Sequence, residues 1–236
     1  MLSLEQNNAT IVLSLWEDSN MGTQFMVEQK IVANTKDESI RRVLTDALIR
    51  ELQDNSIQNN YPVRVFSEFG VNHGEHRIDI VTVNGNIHGF EIKSDGDTLI
   101  RLPAQVQAFS KVFDKITLVV GESHIIDALF IIPDWWGVKL AKGMSNGSVI
   151  LSDIRIAQDN PMKDMMSIAR LLWKQEVLEV LESMNSAFGV KTKRREFVYE
   201  RFVSLVDIET LQRIVLEKLF TRANWRVDQP LLQYGD

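Results

Sequence analysis

Apolar residues recur with two distinct periods along this chain. Ile40, Val43, Leu44, Ala47, Leu48 and Leu52 fall at helical spacing and predict an amphipathic helix, and "YPVRVFSEFG" after it reads as a strand. Residues 77 to 83 and 87 to 93 are rich in Ile, Val and Phe and alternate with polar positions, which predicts two strands joined at Asn84-Gly85-Asn86. The chain then turns at Asp95-Gly96-Asp97 and enters a helix near Pro103, with Val106, Phe109 and Phe113 at helical spacing. It returns as an apolar strand from Ile116 to Gly121. The predicted order is α-β-β-β-α-β. Before it lie 35 residues of weak signal, with a strand expected around Ile11 to Leu15. From Pro161 onward Ile168, Leu171, Leu172, Val177, Leu178 and Leu181 mark one helix, and two more are expected over 195–206 and 208–222. The pattern divides the chain into an N-terminal extension (1–35), an α/β core (36–160) and a helical subdomain (161–236).

The hairpin register follows from its own side chains. A two-residue turn at Asn84-Gly85 would set Val83 against Asn86 and Asp79 against Phe90, mixing acid and apolar groups on both faces. A three-residue turn with Gly85 in the left-handed conformation pairs Val83 with Ile87, Ile80 with Phe90, Ile78 with Ile92, and Asp79 with Glu91. Strand alternation then sends Ile78 and Ile80 to one face and Asp79, Glu91 and Lys93 to the other, where they are expected to face a solvated surface.

Two carboxylates directly opposite each other on a sheet repel. A divalent cation resolves the conflict, because Asp and Glu oxygens are hard ligands suited to Mg²⁺ or Mn²⁺, which keep several waters and complete their shell with phosphate oxygens. Lys93, two residues on, is positioned to orient or deprotonate a water or to offset charge on a phosphate. The implied chemistry is phosphodiester hydrolysis. Against it stands a plainer reading, since alternating charged and apolar residues describe any half-exposed strand.

The stretch "EFG...RIDIV...GFEIKSDGDTLIRLPAQVQAFSKVFDKITLVVG...IPDWWGV" resembles the PD-(D/E)XK nuclease superfamily, in particular a bacterial and phage-associated group within it. The resemblance covers about half the chain and implies a restriction-endonuclease-like α/β core, a mixed sheet flanked by helices, with the C-terminal helices appended. It assigns Asp79 and Glu91 as metal ligands and Lys93 as the motif lysine. Gln105 and Phe109 look like the Gln-x-x-x-Tyr element of the exonuclease-like branch, with Phe in place of Tyr. A further acid commonly comes from the first helix or strand of that fold. Glu68, in "SEFG", is the first candidate. Glu38 follows Thr35 at capping-box spacing and reads as a helix cap. Glu51, at the end of the first helix, is an outsider.

Other residues carry weaker signals. Gln105 could contact substrate backbone or brace the metal site from the first turn of its helix, where unpaired N–H groups suit a phosphate. Asp95 and Asp97 read as turn residues before they read as ligands. Arg101 suits either a phosphate or an acid. His73 and His76 have zinc-like spacing but lack a second pair. Trp135 and Trp136 read as packing more than as base-stacking groups. The run Lys191 to Glu196 is the densest basic cluster of the last third, suited to backbone phosphates or to a solvated helix start.

Composition narrows the classes that remain. The 236 residues can bury one sizeable core, and the absence of Cys removes disulfides and thiol catalysis. No segment has the length of a membrane helix and no signal sequence is evident, so a cytoplasmic protein is expected. A formal net charge of -6 argues against nonspecific coating of nucleic acid and for local contact with it. The leading expectation is a Mg²⁺- or Mn²⁺-dependent nuclease, with DNA favoured and a homodimer suited to two cuts on opposite strands. The alternatives are a catalytically silent nucleic-acid- or partner-binding module on the same fold, and an enzyme acting on another phosphate ester.

Overall fold

The computed structural model describes residues 34–59 and 63–222; the strand expected around Ile11 to Leu15 lies outside them. In chain order the elements are α1 (Asp37–Asn59), β1 (Arg64–Val71), β2 (His76–Val83), β3 (Ile87–Lys93), α2 (Leu102–Phe109), β4 (Lys115–Gly121), α3 (Ile125–Ile131), β5 (Gly137–Gly143), β6 (Val149–Arg155), α4 (Met165–Ala169), α5 (Lys174–Ser183), α6 (Arg195–Val203) and α7 (Ile208–Thr221). The strands form one six-stranded sheet in the order β1-β2-β3-β4-β5-β6. Its centre is parallel, β3 with β4 and β4 with β5, and its outer pairs are antiparallel. The protein is therefore α/β, a mixed sheet flanked by helices. The predicted α-β-β-β-α-β order is present, and α3, β5 and β6 extend it beyond what the sequence pattern suggested.

Apolar alternation chose the hairpin turn. Val83 pairs with Ile87 and Ile80 with Phe90, Gly85 has φ +70°, and the Asn84 amide donates to the Asn86 carbonyl at 3.1 Å. Ile80, Phe90 and Ile92 pack under α1 against Ile40, Leu44 and Leu48, while the opposite face carries Ile87, Val81 and Val83 into a second core with Leu102 and Phe109 of α2.

Alternation breaks at one place. Ile78 lies in the α2-side core and Ile80 in the α1-side core, so the two do not share a face as a regular strand would require. On β1, Phe66 and Phe69 likewise share the α2 side although they are three residues apart. The cause is Glu68, whose backbone is left-handed at φ +53°. Ser67 pairs with Ile80 and Phe69 with Ile78, so the shift of phase falls between these rungs, where Glu68 and Asp79 stand.

The C-terminal helices complete the α2-side core. Ile168, Leu172, Val177, Leu181, Val198, Tyr199, Phe202, Leu211, Val215 and Leu219 are buried in one cluster with Phe66, Phe69, Leu118 and Trp136. The single helix expected over 168–181 is instead α4 and α5. Trp173 between them is extended and its amide donates to the Glu176 carboxylate at 2.6 Å, which starts a new helix. Arg222 donates to Glu176 through two nitrogens, at 2.5 and 2.9 Å, and so fastens the end of α7 to the start of α5. Among the described residues no helix is long and apolar enough to cross a membrane.

Candidate functional site

Asp79 sits at the break in alternation and serves both strands. Its Oδ2 accepts the Ile92 amide at 2.7 Å, a side-chain bond one step beyond the last backbone pair of the hairpin. The expected pairing of Asp79 directly across from Glu91 is thus replaced: the carboxylate itself spans the gap between β2 and β3. Its Oδ1 accepts from Arg41 Nη2 at 2.7 Å, and its carbonyl accepts from Arg41 Nη1 at 3.1 Å.

Glu91 and Lys93 point to the α2 side of β3. Lys93 Nζ donates to Glu91 Oε1 at 2.5 Å, and Gln105 Nε2 donates to the same oxygen at 2.6 Å. Gln105 reaches it because α2 starts at Leu102 with Pro103 in its first turn, which places the buried side of the helix over the end of β3. The site is not the open surface that alternation implied. Glu91 is 2 % exposed, Lys93 4 % and Gln105 8 %, because α2 roofs this end of the sheet.

Burial, then the neighbouring Asp79 charge, raises the Glu91 pKa to about 7; Lys93 and Gln105 work in the opposite direction without cancelling the rise. Two oxygens here lack partners among the described residues: Glu91 Oε2 and Gln105 Oε1 are buried and unbonded. Orphaned buried oxygens are costly, and both are hard donors of the kind that a divalent cation or its water shell would take up. Among the described residues no group of three or more His, Asp or Glu converges to hold a metal ion. The donor set is two carboxylates with an amide oxygen nearby, which suits an ion such as Mg²⁺ that retains most of its water.

Glu68 stands beside this set and is held out of it. Its Oε1 lies 3.1 Å from Arg41 Nη1 and its Oε2 4.0 Å from Arg77 Nη1. Arg41 therefore bridges Asp79 and Glu68, and it also contacts Asp37 one turn back at 3.2 Å. Burial opposes its charge, but Asp79 and Asp37 outweigh that and raise its pKa. Sequence reasoning missed Arg41. The Asp37–Arg41 spacing reads as an exposed i, i+4 pair, and only the adjoining Ile40, which faces the sheet, hinted that Arg41 lay at the edge of the buried face.

The remaining candidates have other work or none that is visible. Thr35 does not form the expected capping box with Glu38. Its hydroxyl and amide donate to Asp95 Oδ2, both at 2.8 Å, and Glu38 is exposed. Asp95 also accepts from the Ser123 amide and hydroxyl at 2.9 and 2.8 Å. Desolvation opposes the charged form of Asp95, but these hydrogen bonds prevail and lower its pKa. Gly121 makes this tie feasible, because a Cβ there would lie 2.8 Å from the Asp95 amide nitrogen. Asp97 closes its turn by accepting from Ser94. Glu51 and Arg101 are exposed, as is the run Lys191 to Glu196. His73 packs on Tyr199 and His76 on Phe109, two separate rings. Trp136 is fully buried and Trp135 nearly so.

Residues 30–228 match the sequence model of a family described as Bacteriophage P4 protein cII. Protein cII of Enterobacteria phage P4 is 40% identical over 55 residues, a stretch that is 23% of this chain and 21% of that protein, so the aligned stretch spans about a fifth of the relative's length. No solved structure matches the chain significantly.

Proposed function

The chain belongs to the bacteriophage P4 protein cII family, and from the geometry of its hairpin we propose that it is a PD-(D/E)XK-type nuclease on a restriction-endonuclease-like core, hydrolysing phosphodiester bonds of DNA in the cytoplasm. The observation that carries this reading is the meeting of Asp79, Glu91, Lys93 and Gln105, with Glu91 Oε2 buried and without a partner among the described residues. The phage origin of the family's namesake supports a mobile-element setting.

Asp79 and Glu91 would hold Mg²⁺ or Mn²⁺, which when bound supplies Lewis-acid polarisation of a phosphate and a more acidic water. Lys93 holds its ammonium against Glu91 Oε1 and is the group placed to steady charge on a phosphate or to take a proton from water. Gln105 fixes the orientation of Glu91. Glu68, held beside the site by Arg41, would be the additional acid once released from it.

The test is cleavage of linear duplex, circular duplex and single-stranded DNA with Mg²⁺ or Mn²⁺ by the native chain, Asp79→Asn, Glu91→Gln and Lys93→Ala. Each substitution is expected to lower the rate roughly a hundredfold or more. Full activity in Asp79→Asn and Glu91→Gln would sink the assignment. Dependence on DNA ends separates exonuclease from endonuclease action, and a dimer would show as paired cuts on opposite strands.

One observation favours a second reading. Lys93 and Glu91 close on each other in a nearly water-free place, as they would in a module that keeps the fold to bind nucleic acid or a partner without turnover. Retained DNA binding with no cleavage under any metal would select it.

A further inference from the structure

Among the described residues Arg41 is the one cation that touches Asp79, and it touches it twice, through the carboxylate at 2.7 Å and the carbonyl at 3.1 Å. The same guanidinium reaches Glu68 at 3.1 Å. Glu68 and Asp79 occupy facing positions on β1 and β2, between the Ser67–Ile80 and Phe69–Ile78 rungs, where two carboxylates without a cation would repel. The left-handed backbone of Glu68 persists at this point, and strain of that kind survives only where the surroundings over-determine it. The planar fork of an arginine is the side chain that can satisfy two carboxylates and a carbonyl at once.

We propose that Arg41 is the site's internal counter-cation: it neutralises Asp79 and Glu68 when no divalent ion is bound, and it competes with that ion for Asp79. Asp37, 3.2 Å from the Arg41 Nε, gives the side chain a second anchor when it yields Asp79. Arg41 is thus a positioning residue that sets metal affinity and the readiness of Glu68 to join the site. The proposal rests on the reading of Asp79 as a metal ligand.

Binding is measured directly, by titrating the full chain with Mn²⁺ and following the paramagnetic resonance signal of the free ion, so no cleavage is needed. Removing a competitor tightens binding of the ion it excluded. Arg41→Gln is expected to lower the Mn²⁺ dissociation constant roughly tenfold, which is about 1.4 kcal/mol. Arg41→Lys keeps the charge but lacks the fork, and is expected to lower it roughly threefold; it serves as the test should the glutamine variant not fold. A purely structural role would lower the melting temperature of the metal-free protein and leave the Mn²⁺ affinity where it was. Unchanged or weaker affinity in the folded variants overturns the proposal while DNA cleavage by the native chain still stands. Absence of both Mn²⁺ binding and cleavage in the native chain overturns it together with the nuclease reading.

Discussion

Glu91 and Lys93 form a buried ion pair whose members depend on each other more than their positions on a strand would suggest. With Lys93 gone, Glu91 would be left beside Asp79 in a site that is nearly closed to water. Lys93→Ala is therefore expected to cost about 1–3 kcal/mol at neutral pH, because Glu91 takes up a proton once its partner is gone, while the double variant Lys93→Met, Glu91→Gln should recover most of it. Urea denaturation of the single and double variants measures this, and equal losses in both would show that the pair is not the source. Loss of activity in an alanine variant here reads chemistry only after the fold has been checked. His88 gives a separate pH signature at the same scale. Burial, with Lys115 and Lys139 adding to it, pushes its pKa down to about 3, and its Nε2 lies 2.9 Å from the Thr117 hydroxyl. Between about pH 3 and 6.5 the unfolded chain takes up a proton at His88 that the folded chain refuses, so this contribution to stability is present above pH 6.5 and falls as the pH drops. The slope approaches about 1.4 kcal/mol per pH unit at most. Denaturation of the native chain and His88→Gln at pH 7 and pH 5 should show the smaller loss in the variant, and parallel losses would refute it.

At the scale of the element, the site is made by a fault in an otherwise regular hairpin and its neighbour. Parity of the Asn84–Asn86 turn sets the register, and the left-handed Glu68 then shifts β1 and β2 by one residue in phase. That shift lets Phe69 and Ile78 fill the α2-side core while Asp79 turns its carboxylate to β3. A glycine at position 68 adopts this backbone freely. Glu68→Gly is expected to raise stability by about 0.5–1 kcal/mol, the relief of left-handed strain less the entropy of a glycine. The lost contact with Arg41 subtracts little, because an ion pair with a half-exposed partner contributes little. A fall in the urea midpoint of Glu68→Gly would mean that the ion pair, and not the backbone, dominates at this residue. On the nuclease reading the same variant loses cleavage, so stability and activity move in opposite directions.

Across the whole molecule the sheet's α2 face and the helices α4 to α7 share one core, and polar ties cross it as well. Gln212 of α7 and Lys163 both donate to Asp114 Oδ1, at 2.6 and 2.9 Å, in the loop that leads into β4. The Tyr199 hydroxyl donates to the Leu172 carbonyl at 2.6 Å. Leu211, fully buried on α7, is a test of how far this unity extends. Leu211→Ala should cost about 2–5 kcal/mol and move the unfolding of the whole protein as a single calorimetric transition. A second transition that keeps its native temperature would show that the helices unfold as a unit of their own.

Local patterns determined much of this molecule. The strands of the hairpin, their register from the turn as far as Ile80 and Phe90, the helix after Pro103 and the order of the first six elements all follow from periodicity and turn parity, because those rules act between residues close in sequence. The same rules brought Asp79, Glu91 and Lys93 into view, and Gln105 came from the resemblance to the Gln-x-x-x-Tyr element. Tertiary structure decided the rest. Nothing in the letters of "SEFG" marks Glu68 for a left-handed backbone, which persists because Phe66, Phe69, Ile78 and Ile80 must each reach a core on the proper side. The roof of α2 over Glu91 and Lys93 turned an expected open surface into a buried pair. Arg41 meets Asp79 across 38 residues of chain, and β5 and β6 widen the sheet by pairing that no local period announces. Periodicity tells a side chain which face it belongs to; only packing tells it what stands opposite.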